Sequence, residues 1–161
     1  MTEEEKRLHR CCFTGHRPEK ISTPETEIIA QLEAEVLLAI DNGITTFITG
    51  MARGVDIWAA EIVLKLRKNQ PLHLICAPPF DGFQAKWDRQ WQKRYTHILK
   101  KADLVKYICS GYSASCFQIR NEWMVDHSSR VIAVYNGQPS GTRNTIRYAE
   151  RVGVPVRIIS V

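Results

Sequence analysis

Ten residues, Phe47 to Asp56 (FITGMARGVD), hold the most chemistry-bearing pattern of the chain. Phe47 and Ile48 end an apolar, β-prone run. Gly50 and Gly54 bracket a tight turn, and Val55, Ala59, Ile62, Val63 and Leu66 then recur at helical spacing. A strand that turns through glycines into a helix aims backbone N–H groups and the positive end of the helix dipole at one spot above the strand end. A phosphate suits that spot. Arg53 stands inside the turn and offers a forked cationic contact, and Asp56 falls in the first helical turn. The same residues also fit a plain tight turn with an acid favouring the helix N-terminus.

Other chemistry-bearing residues stand at comparable places. Arg17 lies in the loop GHRPEK, just after a strand ended by Gly15. Arg120 and Asn121 open a helical stretch. Gly141 and Thr142 close a second glycine-bearing turn, NGQPSGT. The elements that must position them read in order as follows. Residues 1–9 are polar and expected to be loosely docked. Strands are expected at Arg10–Thr14, Ile44–Thr49, Leu72–Ala77, Asp103–Cys109, Arg130–Tyr135 and Val154–Val161. Helices are expected from Ser22-Thr23-Pro24-Glu25 to Asn42-Gly43, from Val55 to about Lys68, from Phe117 to about His127 and from Thr142 to Val152.

Between the third and fourth strands, Phe83, Trp87, Trp91 and Tyr95 repeat every four residues, with Ile98 and Leu99 continuing the face. Lys86, Arg89, Lys93, Arg94, Lys100 and Lys101 fill other positions. We read this as a helix packing an aromatic face on the sheet or on a second copy in a homodimer. Aromatic residues beside basic ones also stack the bases of single-stranded nucleic acid, which is the less favoured reading.

Strands alternating with helices predict an α/β fold. It is expected to be one Rossmann-like, three-layer domain over residues 1–161 with a mostly parallel sheet. Right-handed crossovers place every strand-to-helix turn on one sheet edge. Gly15, Arg17, the Gly50–Asp56 turn, Pro78-Pro79, Arg120, Asn121 and the Gly137–Thr142 turn, with Gly141 and Thr142, then line one crevice for an anionic ligand. No G-x-G-x-x-G follows the first strand, which argues against a dinucleotide-dependent dehydrogenase.

Composition sets the remaining bounds. The chain has 161 residues, 44% hydrophobic and 24% charged, within the ordinary range for a globular domain with a real core. No apolar run is long enough to cross a bilayer, and MTEEEKRLHR has no signal-peptide pattern, so a cytoplasmic location and no membrane partner are expected. Five cysteines without a framework argue against secreted disulfides, and neighbouring Cys11 and Cys12 should point to opposite faces of a strand. No zinc-ligand spacing occurs, so no metal is expected. The net charge of +5 attracts anions only mildly.

Four stretches taken together resemble the YpsA-like family of the SLOG superfamily, which is related to DNA-processing protein A and the Lonely Guy phosphoribohydrolases. They are FTGHRP (Phe13 to Pro18), TGMARGVDIWAA (Thr49 to Ala60), RNEWMVDHSSRVIAVYNG (Arg120 to Gly137) and SGTRNTIRYAERVG (Ser140 to Gly153). The resemblance implies a Rossmann-like fold that binds a nucleotide or an ADP-ribose-like ligand at the strand ends, with no resident cofactor. It carries over Gly15 and Arg17, then Gly50, Arg53, Gly54 and Asp56, then Arg120 and Asn121, then Gly141 and Thr142. Lonely Guy hydrolases carry PGGxGTxxE. Here Gln138 and Pro139 stand at the inner glycines and Thr145 at the glutamate. Glycosyl hydrolysis wants a placed carboxylate, so a sensor or regulator is expected ahead of a nucleotide hydrolase. Asp56, Glu122 and Glu19 are the substitute carboxylates, Asp56 and Glu122 foremost.

Overall fold

The computed structural model describes residues 1–161. Six strands form one sheet: β1 (Arg10–Gly15), β2 (Thr46–Thr49), β3 (His73–Cys76), β4 (Leu104–Val105), β5 (Arg130–Tyr135) and β6 (Val156–Ser160). Their order is β4-β3-β2-β1-β5-β6, and every neighbouring pair is parallel. Six helices accompany them: α1 (Glu3–Arg7), α2 (Glu25–Asp41), α3 (Val55–Arg67), α4 (Arg89–Lys101), α5 (Cys116–Asp126) and α6 (Gly141–Val152). This is the Rossmann-like α/β architecture expected from the alternation of periods.

Pleating divides the core. Cys11 and Phe13 of β1 face a large apolar cluster that includes Ile28 and Leu32 of α2, Trp58 and Val63 of α3 and Tyr95 and Ile98 of α4. Cys12, between them in sequence, faces a smaller cluster with Met124 of α5 and Ala149 of α6. The period of two therefore sends α2, α3 and α4 to one face and α5 and α6 to the other. All five cysteines are free, and burial pushes the Cys12 and Cys76 thiols up to about 12, so these two are packed as apolar residues.

The chain runs outward from β1 through β2 and β3 to β4, then returns to lay β5 against the other side of β1. The order reverses between β1 and β5. In open α/β sheets that reversal leaves a crevice at the carboxyl ends of the strands.

Several expectations change in detail. The polar start is a short helix, α1, closed by a reciprocal capping box between Thr2 and Glu5 and tied down by Arg7 Nη1 donating to the Ser128 carbonyl at 3.0 Å. Ser22 and Thr23 do not cap α2, which starts after Pro24 with no side-chain cap bond. The aromatic stripe is not one helix. Gly82 sits at φ +86° within a run of turns, and α4 begins only at Arg89, where the Asp88 carboxylate accepts from the Trp91 amide at 3.1 Å. Residues 103–109 form a strand only at Leu104–Val105, although the Ile108 and Cys109 amides still reach the Pro78 and Pro79 carbonyls. No helix is long and apolar enough to cross a membrane.

Candidate functional site

The turn after β2 is built under strain. Met51 is fully buried at φ +65°, a conformation that residues other than glycine rarely adopt, and Gly54 follows at φ +88°. Thr49 holds the turn from below, its hydroxyl donating to the Asp56 carbonyl at 2.9 Å and accepting from the Met51 amide at 3.3 Å. Gly54 is also needed for space, since a Cβ there would lie 2.9 Å from the Pro18 ring. The same holds at Gly15, where a Cβ would lie 2.5 Å from Val55 Cγ2. Gly15 thus lets the end of β1 press directly on the first residue of α3.

Asp56 is nearly inaccessible yet borders the crevice. Its Oδ2 accepts from the Ala52 amide at 3.2 Å, and its Oδ1 has no partner. Burial pushes the carboxyl up to about 6, against the opposing pull of the Arg120 guanidinium and of the Ala52 amide. Arg120 is buried beside it and held as a strut. Its Nη1 donates to the Gly50 carbonyl and its Nε to Asn121 Oδ1, the latter at 2.7 Å. Burial lowers the Arg120 guanidinium below its ordinary value, and Asp56 draws it back. Gly50 admits both groups, because a Cβ there would sit 2.8 Å from Arg120 Cζ and 2.9 Å from Asp56 Oδ2.

Above this floor opens a cavity of about 710 Å³, within the range of small-molecule sites. Of the residues read from sequence, Gly15, Arg17, Arg53, Asp56, Arg120, Asn121, Gly141 and Thr142 line it. Gly50 and Gly54 shape the turn beneath without lining it, and Pro78, Pro79 and Gly137 do not line it either, the two prolines accepting instead from the Ile108 and Cys109 amides. Glu122 does not line it, and its carboxylate accepts from Gln118 Nε2 at 2.9 Å. Glu19 pairs with Arg53 at 2.6 Å across the rim, so Asp56 is the one carboxylate among the lining residues.

α6 presents its N-terminus to the cavity. Ser140 caps it, its Oγ accepting from the Arg143 amide at 3.2 Å, and Gly141 and Thr142 supply the first-turn amides. Thr145 lies inside the helix, its hydroxyl donating to the Gly141 carbonyl at 2.9 Å.

Three sets of lining residues were not read from the sequence. Lys20 adds a cation beside Arg17 and Arg53. His16 is buried and accepts from the Asn136 amide at 3.0 Å through Nε2, joining the loops after β1 and β5; burial holds it below the usual histidine range. Its signal was its place directly after the glycine that ends the first strand. Phe83, Trp87 and Phe117 form an aromatic wall, with ring centroids 5.1 Å apart for Phe83–Trp87 and 5.7 Å for Phe83–Phe117. The stripe read as a single packing face therefore splits. Phe83 and Trp87 border the cavity, whereas Trp91 meets Trp58 and Tyr95 is buried.

The model of the YspA SLOG family, YpsA, matches residues 11–159. The chain belongs to that family. YpsA-family membership agrees with the four motifs read from sequence. One relative is the SPbeta prophage-derived protein YoqJ of Bacillus subtilis, 37% identical over an alignment 139 residues long that covers 75% of this chain and 81% of that protein. Among solved structures, DNA processing protein A from Helicobacter pylori, described with a single-stranded DNA binding mode, superposes with a TM-score of 0.65 at 20% identity, covering 97% of this chain and 66% of that one. DNA processing protein A from Streptococcus pneumoniae gives 0.67 at 15% identity, covering 96% and 51%. The YpsA-family chain thus spans half to two thirds of those proteins, and the likeness is one of fold.

Proposed function

We propose that the cavity at the β1/β5 reversal binds a nucleotide or nucleotide-derived ligand, and that the chain acts as a ligand sensor or regulatory protein. The observation that carries this reading is the make-up of the cavity walls. Arg17, Lys20, Arg53 and the N-terminus of α6 bring positive potential to the lining, and Phe83, Trp87 and Phe117, rings in contact with one another, bring aromatic surface. A molecule that joins phosphate to a planar base fits that lining. In this reading Gly141 and Thr142 donate amides to phosphate, Arg53 exchanges Glu19 for a phosphate oxygen, and the Asp56 carboxylate accepts from a ribose hydroxyl.

A thermal-shift screen at fixed salt tests it, with nucleoside mono-, di- and triphosphates, NAD and ADP-ribose as ligands. A ligand at about 100 times its dissociation constant adds about 2.7 kcal/mol and raises the midpoint by several degrees. The expected result is a shift by one nucleotide class that Arg53→Ala cuts by about half or more. An undiminished shift in that variant, or none in the wild type, contradicts the reading.

Asp56 also favours a second reading, hydrolysis of an N-glycosidic or phosphate bond in the nucleotide. A buried carboxyl in the cavity floor with one unpartnered oxygen and a raised pKa is equipped for acid–base work. Turnover would release free base or phosphate and vanish in Asp56→Asn. Binding without any product leaves the sensor reading alone.

A further inference from the structure

The residues from Lys86 to Lys101 carry the whole net charge of the chain. Lys86, Arg89, Lys93, Arg94, Lys100 and Lys101 face the single acid Asp88 there, a net of +5, which is the net charge of all 161 residues. Outside this stretch, basic and acidic residues balance.

The cations are also unmatched in space. Arg94 alone has an acidic partner, with Nη2 2.6 Å from Glu61, and Asp88 is engaged at the cap of α4. Arg89, Lys93, His97 and Lys101 follow one another at intervals of four, so they stack along one helix face. Arg89, Lys93, His97 and Lys100 border a shallow groove of about 450 Å³ with no apolar lining residue. Arg89 and Lys93 are like charges at this spacing, which disfavours the helix that carries them. An anion laid along the face removes that repulsion.

A second feature adjoins the groove. Rings run in contact from Tyr112 through Phe80, Phe117 and Phe83 to Trp87, at centroid distances of 6.1, 6.4, 5.7 and 5.1 Å. The strip ends one residue before the cap of α4. At its outer end Tyr112 is 72% exposed and Phe117 39% exposed. Exposed rings joined through this strip to the start of a cationic track supply the two parts of a single-strand binding surface, one for bases and one for phosphates. An acidic protein uses only the track. A duplex hides its base faces within its own stack.

We propose that the outer face of α4 and the exposed end of the aromatic strip bind single-stranded nucleic acid, with phosphates along Arg89, Lys93 and Lys100 and an unstacked base on Tyr112. Arg89, Lys93, Lys100 and Tyr112 line no part of the cavity, whereas Phe83, Trp87 and Phe117 of the strip also wall it.

Fluorescence anisotropy of the full chain with a labelled oligothymidylate of about twenty nucleotides, long enough for one binding site, tests the proposal across a salt series. Three to four neutralised phosphates predict a log–log salt slope of about −2 to −3. Lys93→Glu combined with Lys100→Glu alters two exposed side chains. It should weaken binding about ten-fold or more and cut the slope magnitude by about 1.4, with an unchanged melting midpoint. Tyr112→Ala should weaken binding about five-fold or more through lost stacking. Nucleotide-induced thermal shifts should be the same in the Lys93/Lys100 variant as in the wild type, which separates this proposal from the cavity's function. No binding at the lowest salt, equal affinity for a duplex of the same length, or an unaffected Lys93/Lys100 variant would each overturn it. Self-association at low salt that the charge reversals abolish, without oligonucleotide binding, would assign the face to a second copy instead.

Discussion

Asp56 brings together the electrostatics of the cavity floor. Its carboxyl, raised by burial from 3.8 to about 6, holds its proton more tightly in the folded chain than in the unfolded one. Its contribution to stability is therefore fully present below about pH 4 and lost as pH rises through about 6, by on the order of 3 kcal/mol at most. Whatever Asp56→Asn costs through the uncompensated Arg120 charge, the wild type should gain on the variant as pH falls from 7 to 4, and paired denaturant titrations read that difference directly. Arg53 behaves differently. Its bond to Glu19 lies at the surface, so Arg53→Ala should change stability by less than about 1 kcal/mol. The loss of a charge-assisted phosphate contact should still weaken nucleotide binding about ten-fold or more in calorimetry. Gly15→Ala puts a methyl group against Val55 and should cost about 1–3 kcal/mol in denaturant unfolding. The sequence offered Gly15 as a ligand contact; the structure adds close packing of β1 on α3 as the reason for it. Nothing in the residue pattern marked Met51, whose left-handed backbone is imposed by the turn around it.

Among the elements, α6 joins fold and site most closely. Ser140→Ala removes the side chain that accepts from the Arg143 amide and should destabilise the chain by about 1 kcal/mol in thermal or denaturant unfolding. Most elements were legible because burial imposes period two or period 3.6 on their apolar residues, and β5 was read with its observed ends, Arg130 and Tyr135. The aromatic stripe was misread for a physical reason. A spacing of four looks helical even where Phe83 and Trp87 lie in turns, and the helix start is set by the Asp88 cap rather than by the aromatic residues. The edge strand β4 was overread because its apolar residues continue past the two that pair with β3.

At the scale of the whole molecule, the site is a consequence of strand order. Reversal between β1 and β5 gathers the loops after β1, β2, β3 and β5 around one cavity, with the start of α5 as its fifth side. Alternating strands and helices told that the loops share an edge, and they did not tell which strands flank the opening. Nor did spacing foretell that Lys20, His16 and the aromatic wall join it, because those contacts are fixed only by tertiary packing. The most direct measurement of ligand binding at this reversal is an amide-resolved NMR titration of the full chain with the nucleotide that gives the largest thermal shift. Binding there predicts saturable shifts in the amides of Gly15, Arg53, Gly141 and Thr142, with His73 and Asp103 at the opposite sheet edge unmoved. Saturable shifts centred elsewhere, or no shifts at those four amides at saturating nucleotide, would contradict it.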